Sequence, residues 1–381
     1  MGGTNGKGST TTLVAEMLRA GGYRVGLYTS PHLVSFRERV LVDGVPISED
    51  AVTLWVRELE PYAVRMGATF FELGTALAFA DFAARGVEVA VVEVGLGGRL
   101  DATNVLRPLA AGVTRIAVEH TEYLGPDRVS IAREKAGIAK PGVPFVTTER
   151  DPEIARLLLT VAAERGARAE WLDPARCLSG VVTESDGVSF AAVTPGGRQG
   201  GLRLGLRGAY QAENALLAVR LTELAAPRFP VDDEARRAGL LKARVPGRFD
   251  RRGRWLFDVA HNPDGVRALS TVLASTPLPR PLVGVAAILK DKAWKEMLTV
   301  LAGAVDRLVV TRAPSAPPER AWDLDEVGRF VAGAGLAARV EPDFGAALAW
   351  AGAQGATALV TGSFHTVGDA MARLPGTSPL G

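Results

Sequence analysis

Apolar positions along this 381-residue chain recur in two rhythms that take turns. Residues 10 to 20 (TTTLVAEMLRA) carry their apolar side chains on one face of a helix, Gly21-Gly22 stops it, and RVGLYT at 24 to 29 reads as a short strand. EVAVVEV (88 to 94) and AGVTRIAVE (111 to 119) are apolar runs without period-two alternation, as expected of strands covered on both faces of a parallel sheet. Helical stretches lie between them. Residues 178 to 206 repeat Gly beside Val and Phe and predict a small antiparallel insertion, followed by helices at 211 to 226 and 232 to 243.

RVPGRF at 244 to 249 interrupts this pattern with Pro246-Gly247. Beyond it, WLFDVA, LVGVAAI, RLVVTR and TALVTG alternate with helices at 264 to 275, 292 to 303, 323 to 335 and a last short one. The expectation is an α/β protein of two domains. Residues 1–243 form the first, with a mainly parallel sheet, and 247–381 a smaller Rossmann-like one whose ligand crevice opens beyond the carboxyl ends of its strands.

Composition narrows the function. Hydrophobic residues at 47% and charged residues at 23% exclude a disordered or collagen-like chain. Lys+Arg 44 against Asp+Glu 42 leaves +2, spread along the chain, so no basic stripe follows a phosphate backbone and nucleic acid is not expected as a partner. The single Cys177 forms no internal disulfide and suits a reducing compartment. The start MGGTNGKGST lacks the form of a signal peptide, and no uncharged apolar run reaches the ~18 residues a bilayer span needs. A cytoplasmic protein without a membrane partner is expected. A GC-rich genome or a hot habitat accounts for only four His, four Asn and seven Lys, but not for their gathering in Gly-rich and acidic segments.

The strongest local signal is Gly3-Thr4-Asn5-Gly6-Lys7-Gly8-Ser9 ahead of a helix. Glycines let backbone N–H groups curl round an anion, the helix N-terminus adds partial positive charge, and Lys7 can reach the terminal phosphates of a nucleotide. The strict pattern has Gly where Met1 stands and Ser or Thr directly after the Lys, where Gly8 intervenes. A glycine-rich turn that merely starts a helix is the plain alternative. Glu93 ends an apolar run before a Gly-rich loop, where either a metal ligand or a salt-bridged strand end fits.

GTNGKGS resembles the ATP-binding loop of the folylpolyglutamate synthase and dihydrofolate synthase family, part of the wider Mur ligase-like group of ATP-dependent amide-forming enzymes. Further segments match in order: TSPHLVSFRERVLVDG (29–44), FFELGTALAF (70–79), EVGLGGRLDATNV (93–105), EHTEYLG (119–125), EKAGIAKPG (134–142), ENA (213–215), PGRF (246–249), DVAHNPDG (258–265), KDK (290–292) and TGSFHTVG (361–368). They span nearly the whole chain. Mur ligases proper usually carry Thr directly after the loop lysine, so Gly8-Ser9 favours the folate branch. The resemblance implies a P-loop ATPase-like first domain. It also implies several tens of residues ahead of the loop, so a start assigned too late is one account of this N-terminus, and the strand that anchors the loop is expected to be missing.

Residue by residue, the resemblance implies ATP contacts from Gly6, Lys7, Gly8, Ser9, Asn214, Arg248 and Asp258. It implies Mg²⁺ ligands at Ser30, Glu93 and His120, with His120 the least expected for so hard an ion. It makes Lys135 a carbamylated lysine, carboxylate-like in place of a repelling ammonium. Thr69, Phe70, Phe71 and Glu72, with Leu100, Asp101 and Ala102, resemble the part that holds a pterin. Phe71 has the type to stack on the ring and Asp101 to accept its N–H groups, though core packing suits Phe71 equally. His261 is placed to face the reacting carboxylate or the incoming glutamate, with Lys7 and Lys135 as the other catalytic candidates. Ser363 and His365 are further candidates for glutamate.

The activity so implied is an ATP- and Mg²⁺-dependent ligase joining L-glutamate to dihydropteroate, to the tail of a reduced folate, or to both, through an acyl phosphate. A monomer is expected. A Mur-type ligase of peptidoglycan precursors and a nucleotide-binding module without ligation are the alternatives.

Overall fold

A computed structural model describes residues 1–184 and 186–380. The chain runs α1 (Lys7–Ala20), β1 (Val25–Tyr28), β2 (Val40–Val42), β3 (Val45–Pro46), α2 (Glu49–Met66), α3 (Phe70–Ala84), β4 (Val89–Val92), β5 (Ala111–Val113), α4 (Thr121–Leu124) and α5 (Arg128–Ala136). It continues through β6 (Pro144–Thr147), α6 (Pro152–Glu164), β7 (Arg168–Trp171), α7 (Pro174–Cys177), β8 (Leu178–Glu184), β9 (Gly187–Thr194), β10 (Gly197–Leu204), α8 (Gln211–Ala225) and α9 (Asp233–Lys242). β1 pairs parallel with β4 and antiparallel with β2, giving the order β3-β2-β1-β4, while β5, β6 and β7 form a parallel sheet of their own. β8 to β10 are the antiparallel insertion expected from the Gly-rich repeats.

The two parallel sheets meet at the N-terminus. Met1 donates its amino group to Val92 O and accepts from Val94 N, while Gly2 N donates to Gly112 O and Gly2 O accepts from Thr114 N. Met1 and Gly2 thus anchor the glycine loop in the sheet, contrary to the expectation that its anchor is missing. AGVTRIAVE leaves the sheet at Val113, short of the expected 119, because its next residues serve that loop. Thr4 N donates to Arg115 O, and Asn5 bridges to Arg115. Below the loop, Leu13, Met17, Leu216, Leu217 and Leu240 of α1, α8 and α9 are fully buried together.

The second unit comprises β11 (Asp250–Arg252), β12 (Trp255–Asp258), α10 (Pro263–Ser275), β13 (Leu282–Ala286), α11 (Trp294–Ala304), β14 (Arg307–Val310), α12 (Leu324–Gly333), β15 (Ala338–Val340), α13 (Phe344–Gln354), β16 (Thr357–Thr361) and α14 (Phe364–Arg373). Its sheet runs β11-β12-β16-β13-β14-β15 and is parallel except at β11. β13 and β16, each fully buried, sit in its middle, which explains their unbroken apolar runs.

Helix starts follow the sequence closely. Ser48, Thr69, Asp127, Asp151, Asp232, Asn262, Asp323, Asp343 and Ser363 each accept a first-turn N–H. The N-cap of α1 is Gly6 at φ 98°, with no side-chain cap at all. Its first-turn N–H groups await some other acceptor.

The units touch where Leu33 packs with the buried Val259 and Val367 of the second. Gly368 in α14 lies so near that a Cβ there would stand 2.0 Å from Leu33 O, whereas one at Gly303 in α11 meets nothing within 4 Å. Gly368→Ala is therefore expected to destabilise the protein by about 1–3 kcal/mol. Gly303→Ala should stabilise it by about 0.5–1 kcal/mol through helix propensity. Thermal unfolding of the two variants checks both signs.

Candidate active site

The glycine loop lies against its neighbours more closely than any side chain would permit. A Cβ on Gly6 would stand 2.3 Å from Asn214 Oδ1, and one on Gly3 would stand 1.8 Å from Thr114 Oγ1. Lys7 Nζ donates to Thr4 O at 3.2 Å, holding its charge over the loop, and buried Lys135 Nζ donates to Gly3 O at 2.9 Å. Burial and the Lys7 charge bring the Lys135 amine down to about 7. Near neutral pH a large fraction of it is therefore the free amine, the form that reacts with carbon dioxide.

Glu93, just beyond β4, is 4% exposed. Its carboxylate accepts from Ser30 N at 3.2 Å and lies 3.6 Å from where a Cβ on Gly8 would be. Burial pushes it above the usual carboxylate range, against the pull of Lys7, the Ser30 N–H and Arg248. A buried carboxylate in that position favours a cation. His120, at φ 53°, is brought down to about 4, chiefly by burial, despite neighbouring Glu119. It is neutral and has a lone pair to offer. Among the described residues no three His, Cys, Asp or Glu side chains form a ready cage. The Glu93 carboxylate, hydrogen-bonded to Ser30 N, and the Ser30 hydroxyl are oxygen donors of the kind Mg²⁺ takes beside water and phosphate oxygens, with the His120 nitrogen the softer third candidate.

Between the two units opens a cleft of about 790 Å³. Thr69, Phe71, Glu72, Leu100, Asp101 and Ala102 line one part, and Ser30 and His120 also face it; Phe70 does not line it. Thr69 and Glu72 are already engaged as the capping box of α3. Phe71 packs beside Tyr28 with ring centroids 6.1 Å apart, and a Cβ on Gly95 would stand 2.4 Å from it. It serves the core and the cleft at once. Asp101 accepts from Gly95 N and Leu96 N on one oxygen and from Thr103 N and Oγ1 on the other. Its first task is to shape the loop that the cleft presents.

The second unit supplies the opposite wall. Asp258, at the carboxyl end of β12, is 5% exposed and accepts from Phe249 N and Ala260 N, both at 2.9 Å. Burial raises it, with Arg248 opposing. Those two hydrogen bonds secure the PGRF turn and the segment that ends in His261, so Asp258 acts on Arg248 as well as through its own charge. Arg248 lies 5.3 Å over the Phe364 ring. His261 Nδ1 faces Val259 O at 2.8 Å, and its Nε2 faces Glu119 Oε1 at 2.9 Å. Ser363 caps α14, and His365 Nδ1 lies 3.0 Å from Ser315 Oγ. The structure thus brings Asn214 against Gly6, Arg248 into a hollow shared with Gly8 and Glu93, and the expected pterin residues to the cleft, Phe70 excepted, while Asp258 lies behind the Arg248 turn.

Glu119 and Lys292 were not singled out by sequence, although EHTEYLG and KDK contain them. Glu119 Oε1 also lies 3.3 Å from Lys292 Nζ and 3.6 Å from His120 Nε2. Burial alone would raise this carboxyl; His261, Lys292 and His120 hold it far below its usual range. The rarity of lysine was the available signal, since Lys7, Lys135 and Lys292 are three of only seven.

Family models agree with this arrangement. The Mur ligase middle domain model matches residues 1–222, and the Mur ligase glutamate ligase domain model matches residues 247–364. The fold and site are those of an ATP-dependent amide-forming ligase of the Mur type. The dihydrofolate synthase/folylpolyglutamate synthase of Escherichia coli (strain K12) is 37% identical over 97% of this chain and 84% of its own length. A Mycobacterium tuberculosis folylpolyglutamate synthase complexed with ADP and AMPPCP superposes with TM-score 0.88 at 35% identity, covering 97% of this chain and 89% of that one. A bifunctional folylpolyglutamate synthase/dihydrofolate synthase with Mn, AMPPNP and L-glutamate bound gives TM-score 0.83 at 34% identity, covering 97% and 87%. The chain belongs to the folylpolyglutamate synthase/dihydrofolate synthase family.

The buried Glu93 yields a signed prediction. Its folded pKa lies above its unfolded one, so between the two the folded state binds more protons, and stability falls as pH rises through that window. Above that window Glu93 costs stability in the protein without ligands. Glu93→Gln should therefore melt no lower than the wild type there, yet lose the extra stabilisation that ATP with Mg²⁺ confers; differential scanning fluorimetry with and without the pair checks both halves.

Proposed function

We propose that this ligase joins L-glutamate to dihydropteroate, to the glutamate tail of a reduced folate, or to both. The observation that carries the reading is the uncapped start of α1 beside Glu93, next to a cleft whose far wall carries His261. An amine does not displace water from a carboxylate, so the carboxylate first needs a leaving group, which the γ-phosphoryl of ATP supplies. Backbone N–H groups from Gly6 to Ser9 hold the phosphates. Lys7 leaves the Thr4 carbonyl to follow the charge, and Arg248 meets it from the other unit. Asn214 and Asp258 hold the rest of the nucleotide. Ser30, Glu93 and His120 would hold Mg²⁺, which neutralises phosphate charge when bound.

Phe71 and the loop of Leu100, Asp101 and Ala102 receive the flat ring, with Thr69 and Glu72 at its edge. Ser363 and His365 stand on the wall where the amino acid enters. With the acyl phosphate formed, the amine of glutamate attacks its carbonyl and phosphate leaves. The two units meeting across the cleft keep water away from that mixed anhydride. The division at 243/247, a monomeric state, a cytoplasmic location and the absence of nucleic acid or membrane partners belong to the same proposal. A net charge of +2 supports the expectation of no nucleic-acid partner, and no helix among the described residues is long and apolar enough to cross a membrane.

Lys135 as a carbamate is part of the proposal. The free amine favoured by its burial adds carbon dioxide and releases a proton, exchanging a neutral amine for an anion near Lys7. Carbon-13-labelled bicarbonate should give a carbamate signal by NMR that Lys135→Arg lacks, with activity falling at least ~10-fold in that variant.

For the activity itself, mass spectrometry of products after incubation with ATP, Mg²⁺ and glutamate should show gain of one glutamyl unit on dihydropteroate, on a reduced folate, or on each. Labelled oxygen in the acceptor carboxylate should reach phosphate; label staying wholly in the amide would eliminate the acyl phosphate.

A further inference from the structure

Among the described residues, the ion pairs that join residues 1–243 to residues 247–381 converge on Glu119. They are His261 Nε2 to Glu119 Oε1 at 2.9 Å and Lys292 Nζ to the same oxygen at 3.3 Å. The polar pair Asn5–Asn262 accompanies them, with Asn262 Nδ2 donating to Asn5 Oδ1 at 3.1 Å. The Glu119 side chain is 7% exposed, that of Lys292 12% and that of His261 20%. All three line the 790 Å³ cleft.

The chemistry of the His261 ring sharpens this. Val259 O and Glu119 Oε1 are both acceptors, and each faces one ring nitrogen. The ring is thus held at two points, one in each unit, and its plane is set. The Val259 contact comes from its own unit and is present whether the units are together or apart. The Glu119 contact exists only when they are together. Phe364 packs beside the imidazole, with ring centroids 5.5 Å apart and planes at 53°.

We propose that Glu119 is a positioning residue that couples the approach of the two units to the orientation of His261. One carboxylate, beside the metal-ligand candidate His120, reads the arrival of β12 and β13 through His261 and Lys292, which follow those strands. His261 then turns to its working orientation only in the closed molecule. Lys292 adds to the tie and determines which edge of the second unit docks. The proposal rests on the ligase reading above for its activity measurement.

The test is a double-mutant cycle with Glu119→Gln and His261→Ala, reading glutamyl transfer, KM for ATP, and the ligand-free radius of gyration by small-angle scattering. Glu119→Gln alone is expected to lower kcat on the order of 100-fold, the scale of a misplaced reacting group, while KM for ATP stays within about twofold. Its scattering radius should rise above that of the wild type. In the His261→Ala background the second substitution should cost almost nothing more. An equal further loss in that background, or an unchanged kcat in the single variant, overturns the proposal. Should Glu119→Gln fail to fold, Glu119→Asp, which keeps the charge one methylene back, takes its place in the cycle, and the same two outcomes overturn the coupling. A wild type that transfers no glutamate at all defeats the ligase reading instead, and scattering alone then decides the coupling: a radius unchanged in Glu119→Gln rejects it.

Discussion

Met1 and Gly2 hydrogen-bond on one side to Val92 and Val94 and on the other to Gly112 and Thr114, and the position of that short wedge decides where α1 can begin. From it the backbone turns through Gly3 and Gly6 under contacts that leave no room for a Cβ, against Thr114 and Asn214. The first turn of α1 therefore starts, uncapped, beside the buried Glu93. Phosphate binding, the metal-ligand candidates and the lysines all take their places from this constraint. A loop free to shift would lose the alignment of Lys7 and Lys135, whose hydrogen bonds run to Thr4 O and Gly3 O within it.

Charge in the cleft is arranged so that each buried ion has an opposite one within reach from a different part of the chain. Glu93 has Lys7 and Arg248, Asp258 has Arg248, and Glu119 has His261 and Lys292. Unpaired buried charge is costly, and breaking one partner of such a pair leaves the other exposed to that cost. In this molecule several of the partners come from opposite units. These pairs are thus complete only when the units are together.

Asp101 and Asp258 show how site residues also build the backbone. Each was expected to meet a ligand, a pterin and a nucleotide respectively, and each also spends both carboxylate oxygens on loop N–H groups. Such doubling fixes the loop before any substrate arrives, which lowers the entropy lost on binding. Phe71 is similar, one face against Tyr28 and Gly95 and another toward the cleft. The alternatives of core and site that its sequence position left open are both realised.

Much of the architecture was legible because its causes are local. Apolar runs that marked β13 and β16 reflect burial within a parallel sheet, whereas the run at β4 marks an edge strand that is only partly buried, and the glycine loop announced itself by spacing. The run at 111 to 119 misled because the N-terminal loop takes over its pairing, with Thr114 N donating to Gly2 O and Arg115 O accepting from Thr4 N, so that the strand itself ends at Val113. Motif order along the chain determined the family and the set of residues that meet. What no local pattern carried is which of them touch. That Glu119 accepts from His261 and Lys292 depends on where two sheets come to rest against each other. Hydrophobic periodicity encodes the faces that are buried but not the partner across a cleft, so only the tertiary structure could decide it.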